Sequence, residues 1–267
     1  MRHRGHQILR DIETDLPQLS IFIHPTSAPW KRPKPLIDKS LFNSSQQGAN
    51  PNELRLQFKR LKNTKYRIHQ SIYTDGSKCE NKCGYSVVSE DMLIRKRIHN
   101  MCSIFTAESL AVKEALNWVV SQRQARAYLI CTDSLSVVTS LDKRKITSRW
   151  KDEIGELLTK AKNNGAEVVI CWVPSHIGIE GNERADREAK QALEATGIDK
   201  ETVDAKEFKT AVRNQITLRW QRNWEQVRNN HLRVVKNAPT PYTEAIGTTR
   251  KENVKLSRLR IGRSHTQ

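Results

Sequence analysis

From Ser71 to Leu193 the chain is punctuated as few folds allow: three short apolar runs in close succession, then helical and extended segments in alternation. Ile72-Tyr-Thr reads as a strand ending at Asp75-Gly76. Gly84 to Val88 and Leu93 to Ile98 lie either side of the turn-like Glu90-Asp91, so the spacing predicts a three-stranded meander. Thr106 can cap a helix through Val120, with Leu110, Ala111, Ala115 and Trp118 or Val119 along one face. Tyr128 to Cys131 forms a fourth strand, Ser134 can cap a helix to Leu141, and Trp150 to Ala161 supplies a third helix. Asn163-Asn-Gly165 breaks that helix before a fifth strand, Val168 to Val173. After Pro174 and a glycine-containing loop, Glu183 to Leu193 closes the module as a helix. Consecutive strands followed by alternation imply an α/β fold, a mixed sheet with helices packed on it.

The flanks have another texture. Residues 1–70 are punctuated by Pro25, Pro29, Pro33, Pro35 and Pro51 and by the polar run from Asn43 to Asn50, and read as a basic connector expected to be poorly ordered. Residues 196–267 read as a basic, partly helical extension. In it Phe208, Val212, Ile216 and Trp220 recur at helical spacing, Trp224 and Val227 extend the pattern, and Arg213, Arg219, Arg222 and Arg228 lie on or near the polar side. Of the net charge of +17, each flank carries +8 and the segment 71–195 only +1. A near-neutral folded module between basic neighbours suggests contact with a polyanion. No stretch is apolar enough for a membrane span or a secretory signal, so no membrane partner is expected. The five cysteines, odd in number and scattered through apparent core segments, argue for reduced thiols and an intracellular setting.

Four acidic residues fall on critical places of that map. Asp75 ends the first strand and Asp133 the fourth, while Glu108 and Asp186 each sit in the first turn of a helix. Strand ends and adjoining helix starts converge on a crevice in α/β sheets. Four carboxylates gathered there would repel one another unless cations neutralised them. Hard divalent ions with oxygen ligands are the natural partners, Mg²⁺ in particular, and two of them can activate a water and stabilise the leaving oxygen of a phosphodiester.

The order Tyr73-Thr-Asp-Gly-Ser, Thr106-Ala-Glu, Thr132-Asp-Ser and Asn182-Glu-Arg-Ala-Asp, with Trp172-Val-Pro-Ser-His-Ile-Gly178 before the last, resembles the type I ribonuclease H family over about 71–195. The resemblance implies a mixed five-stranded sheet flanked by helices. It also implies a site for two Mg²⁺ ions, with Mn²⁺ able to substitute, held by Asp75, Glu108, Asp133 and Asp186, and hydrolysis of the RNA strand of an RNA–DNA hybrid. His176 matches the family histidine implicated in proton handling and product release, with Gly178 and Gly181 giving its loop mobility. Gly76, Ser77 and Asn182 are the expected substrate contacts, Asn182 through RNA 2′-hydroxyls.

The remaining signals are smaller. Cys79 and Cys83 lack a second pair or histidine to complete a zinc set. Lys143-Arg-Lys145, with Arg149 and Lys151, either grips the hybrid or is solvated surface. Ala28-Pro-Trp30, Trp220-x₃-Trp224 and Ser257-Arg-Leu-Arg-Ile-Gly262 resemble the surroundings of the ribonuclease H region in non-LTR retrotransposon polyproteins, where a Cys/His-rich stretch usually follows. That resemblance implies a reverse transcriptase domain of the same element as a partner. The alternative is a nucleic-acid-binding remnant inactive without it.

Overall fold

In the computed structural model, the residues described are 17–22, 25, 28–122, 126–143, 145–146, 148–199, 202–226 and 249–260. In chain order the elements are β1 (Leu19–Ser20), β2 (Leu36–Asp38), α1 (Ser40–Gln46), α2 (Pro51–Asn63), β3 (Gln70–Cys79), β4 (Lys82–Val88) and β5 (Leu93–Ile98). They continue with α3 (Ile104–Ser121), β6 (Ala127–Thr132), α4 (Leu135–Asp142), α5 (Arg149–Asn163), β7 (Glu167–Trp172), α6 (Glu180–Ala192), β8 (Val203–Asp204), α7 (Ala205–Gln226) and α8 (Arg250–Arg260). The chain divides into two compact units, residues 16–208 and residues 1–15 with 209–267.

In the first unit six strands form one mixed sheet in the order β2-β7-β6-β3-β4-β5. β3 to β5 are antiparallel neighbours, whereas β3, β6, β7 and β2 run parallel. The apolar runs Tyr-Leu-Ile-Cys in β6 and Val-Val-Ile-Cys in β7 are buried on both faces, as parallel strands covered by helices must be. Successive residues of β3 point to opposite faces. A Cβ on Gly76 would meet Ala107 and Glu108 of α3, and the ring of Tyr73 lies where a Cβ on Gly181 of α6 would be. The two helices therefore cover opposite faces of β3. The core joins Ile72, Val87, Leu116, Leu129, Ile130, Ile154 and Ile170, all fully buried.

The sheet has six strands rather than five because the segment expected to be a connector supplies one. Residues Leu36–Asp38 pair in parallel with Val169–Cys171 at the outer edge of β7. Asp38 is buried and accepts hydrogen bonds from Tyr66 Oη (2.6 Å), Lys65 Nζ (2.8 Å) and Ser40 N (2.9 Å). Burial by itself would raise its pKa, yet these donors carry it well below the usual carboxylate range. The prolines misled for a physical reason. Pro51 sits at the first helical position of α2, where a missing N–H costs nothing. Asn50 and Glu53 close a reciprocal capping box, each bond 3.0 Å, and Leu54 and Phe58 bury the inner face. Arg32 enters a notch over Gly155 and forms a buried ion pair with Asp152, Nη2 to Oδ1 2.6 Å, while Nη1 donates to the Asp152 carbonyl at 2.7 Å.

In the second unit, α7 continues to Gln226, and α8 is capped by reciprocal hydrogen bonds between Thr249 and Glu252. The amphipathic reading of α7 fails in part: none of its side chains is buried, and Trp220 is 59% exposed. Val227, Arg228 and the end of the Ser257–Gly262 motif lie outside the described residues.

Removing one member of a buried ion pair leaves the other charge uncompensated, at a cost of about 3–5 kcal/mol. Arg32→Ala should therefore lower the thermal midpoint by several degrees, whereas Lys34→Ala, whose contact with Asp142 is solvent-exposed, should leave it nearly unchanged. Calorimetry on the full chain checks both; equal midpoints for the two variants would show that the Arg32 pair does not hold the segment.

Candidate active site

β3 does not stop at Asp75-Gly76. Its parallel pairing with β6 ends at Thr74 opposite Thr132, but its antiparallel pairing with β4 runs on to Cys79 opposite Lys82. Asp75 therefore stands just past the point where β6 leaves the sheet. There the chain turns into α4, with Ser134 N donating to Thr132 Oγ1 at 3.2 Å and Trp172 Nε1 donating to the Asp133 carbonyl at 3.0 Å. Glu108 lies in the second turn of α3 rather than the first, because the N-cap is Ser103, whose hydroxyl accepts from Thr106 N at 3.2 Å. Asp186 lies nearly two turns into α6, which begins at Glu180.

Ligand oxygens of Asp75, Glu108 and Asp133 lie within 4.8 Å of one another. Asp75 and Glu108 are buried. Burial, reinforced by the charges of Asp133 and Asp186, pushes the Asp75 carboxyl up to about 8, and the Gly76 amide and Lys190 offset only part of this. Burial and the charges of Asp75 and Asp133 push Glu108 up to about 9. Burial raises Asp133 as well, against the hydrogen bond from Asn182. Asp186 falls in a second group, in which its carboxylate, that of Glu183 and the His176 ring lie within 4.8 Å of one another, and its Oδ2 accepts from Lys190 Nζ at 2.7 Å.

His176 is exposed on a tight loop with φ of 55° and reaches toward Glu183, Nδ1 to Oε2 3.9 Å. Glu183 had no site role in the sequence reading. Its Oε1 accepts from Gly178 N at 3.2 Å, so this side chain tethers the loop that carries the histidine. Its place three residues before Asp186, on the same helix face, was the available signal. Gly178, with φ of +80°, suits the loop, but Gly181 belongs to α6 and admits the Tyr73 ring, a Cβ there lying 2.2 Å from it. It serves packing rather than mobility. Asn182 is 2% exposed and donates through Nδ2 to Asp133 Oδ2 at 3.2 Å; it stands behind a carboxylate rather than on an open surface. Gly76 and Ser77 are half-buried on β3 beside the cluster.

The basic cluster between α4 and α5 divides differently from either expectation. Lys151 is buried and donates to the carbonyls of Ser140, Lys143 (2.6 Å) and Lys145 (2.8 Å), closing the turn after α4. Arg149 pairs with Glu153 at 2.9 Å. Arg144 lies outside the described residues.

The donor set fits a hard divalent cation. Glu108 Oε2 is buried without a hydrogen-bond partner in a cluster of carboxylates, and oxygen-only donors suit Mg²⁺ or Mn²⁺. Such a site would collect the charge that the fold leaves unbalanced.

Asp75 and Glu108 rise from ordinary values of 3.8 and 4.5 to about 8 and about 9, so between these limits the metal-free folded chain binds more protons than the unfolded one. Its stability should then fall as pH rises through that window. In EDTA at about pH 8, Asp75→Asn should melt higher than the wild type, and Mg²⁺ should raise the wild-type midpoint more than that of the variant. A lower melting point for the variant in EDTA would count against the strained cluster.

No curated protein matches the chain significantly. The model of the family described as RNase H matches residues 68–194, a little under half of the chain and spanning β3 to α6. Over that segment the chain is similar to the ribonuclease H family.

Proposed function

We propose that this chain is an endoribonuclease that hydrolyses the RNA strand of RNA–DNA hybrids with two divalent cations, Mg²⁺ or Mn²⁺, held by Asp75, Glu108, Asp133 and Asp186. The observation that carries the proposal is the meeting of three buried or half-buried carboxylates within 4.8 Å, inside a segment matching this nuclease family. When bound, the pair of ions supplies Lewis acidity toward the attacking water and the leaving oxygen of the scissile phosphodiester.

The chain's own groups do the rest. Asp75 belongs to the first acidic group and feels the charge of Asp186 in the second. Asn182 holds Asp133 in one orientation through its amide. Lys190 balances Asp186 on α6. His176, exposed and only loosely held by Glu183, is free to take or give a proton at the reacting phosphate and then swing away with the product. Gly76 and Ser77, beside Asp75 on β3, contact the strand being cut. The flanking motifs around Trp30 and Trp220 support derivation from a non-LTR retrotransposon polyprotein, with a reverse transcriptase domain as the matching partner.

The chain should cut RNA in a hybrid with Mg²⁺ or Mn²⁺, leave single-stranded RNA and DNA largely intact, and bind Ca²⁺ without efficient turnover, since its longer coordination misplaces the water. Gel analysis of a labelled hybrid tests this, and equal cutting of free RNA would refute it.

Asp75→Asn should lower turnover on the order of 10³-fold or more, and His176→Ala by about 10–10³-fold with metal affinity by calorimetry unchanged. Loss of metal binding in the His176 variant, with Asp75→Asn still active, would overturn this division of roles.

A further inference from the structure

A cleft of about 770 Å³ lies between α2 and the segment joining β7 to α6. One wall belongs to α2, which is outside the segment matching the nuclease family. Arg55, Lys59 and Lys62 follow one another at i, i+4 and i+7, so they share one helix face. All three line the cleft, and Arg184 of α6 adds a fourth cation from the opposite wall. Among the described residues none of the four has an ion-pair partner; Arg55 and Arg184 make only long hydrogen bonds, to Asn52 (3.4 Å) and to the Ser89 carbonyl (3.5 Å). Two carboxylates, Glu90 and Glu180, also face the cleft, and the balance remains positive.

The floor shows the same imbalance. The His69 side chain is 6% exposed, and neither ring nitrogen has a hydrogen-bond partner, Nε2 lying 3.6 Å from Glu167 Oε1. Ser89 Oγ, also in the lining, is buried without a partner. Buried polar atoms in native proteins are nearly always satisfied, so a wall with several orphans beside unpaired cations points to a polar, anionic occupant.

The position says which. Tyr73 lines the cleft and precedes Asp75 by two residues on the same face of β3, a distance of roughly 7 Å along a strand. Gly178 forms part of the wall and touches the guanidinium of Arg55, a Cβ there lying 3.2 Å from Nη1. The loop that carries His176 is thus shared between the carboxylate site and the cleft.

We infer that this cleft binds the phosphodiester backbone of a nucleic-acid strand leaving the carboxylate site, with Arg55, Lys59, Lys62 and Arg184 as its phosphate contacts. The inference rests on the hybrid-nuclease reading for the identity of the strand, but not for the presence of the site. A backbone suits the row of cations better than an acidic peptide, because charges at successive helix turns match a regular run of phosphates in contact with the site where the phosphodiester would be cut.

The test compares two doubly substituted full-length chains, Arg55→Ala/Lys59→Ala and Lys160→Ala/Lys162→Ala, the second pair being exposed on α5 away from the cleft lining. Fluorescence anisotropy with a labelled RNA–DNA hybrid, in EDTA so that none is cut, gives affinity against salt. Melting curves confirm that both chains are folded. Only the cleft pair should weaken binding, by about 5–20-fold, and it should flatten the log–log salt dependence by about two. Equal losses for both pairs would reduce the effect to general charge, and no loss for the cleft pair would remove the site. Equal competition by a polyglutamate peptide of matched charge would overturn the assignment to a nucleic-acid backbone. A chain that binds through these cations yet cuts no hybrid keeps the cleft and loses the nuclease reading, while one that cuts and ignores the cleft substitution loses the cleft alone.

Discussion

The close approach of α3 to β3 decides where the chemistry of this fold can be. At Gly76 a single methyl group would stand 2.8 Å from the Glu108 amide and 3.1 Å from Glu108 Cγ. Because no side chain is there, α3 settles against β3 at backbone distance, and the Glu108 side chain passes over the strand. Asp75, the preceding residue, points to the opposite face toward α6. Two acids on opposite faces of a sheet would ordinarily be kept apart by the strand between them. Here the neighbouring strand β6 has already ended at Thr132, and the carboxylates meet around the vacated edge. An alanine at 76 would force the helix off the strand and separate the acids.

That convergence works against folding. Raised proton affinities at Asp75, Glu108 and Asp133 mean that the native state holds groups in a medium and a company they disfavour. Core packing supplies the compensation: the residues that lead into Asp75 and Asp133 are buried in β3 and β6, whose parallel register brings the two acids to the same end of the sheet. Perturbed proton affinities of this kind cluster at functional sites. The polar shell around it includes the Gly76 amide beside Asp75, the Asn182 amide on Asp133, the Lys190 ammonium on Asp186 and the Glu183 carboxylate on the histidine loop.

Much of this arrangement was legible in the residues themselves. The order of strands and helices from 71 to 193, and the approach of Asp75, Glu108 and Asp133 to one another, follow from periodicity and turn chemistry, whereas Asp186 falls in a second group with His176 and Glu183. Helix starts were misplaced by a few residues, since Ser103 outcompetes Thr106 as a cap and Glu180 begins α6 without any side-chain cap hydrogen bond. Residues whose roles depend on tertiary neighbours could not be read. Lys151 looked like a surface cation but fills a turn with three carbonyls, and the hydrogen bond from Asn182 to Asp133 has no signal in the sequence. The N-terminal segment was obscured by proline, whose meaning differs completely between a linker and the first position of a helix.

The three-residue strand β2 has an effect out of proportion to its length. It occupies the outer hydrogen-bonding edge of β7, whose Val169–Cys171 stretch is apolar and buried. An open edge of that composition is a template for pairing with another chain. A chain trimmed to the boundaries of the recognised family would keep every acid of the cluster and still present that bare edge to its own copies. Self-association through β7 is the failure expected of such a trimmed protein, and the tract that looks most like dispensable linker is the part that covers this edge.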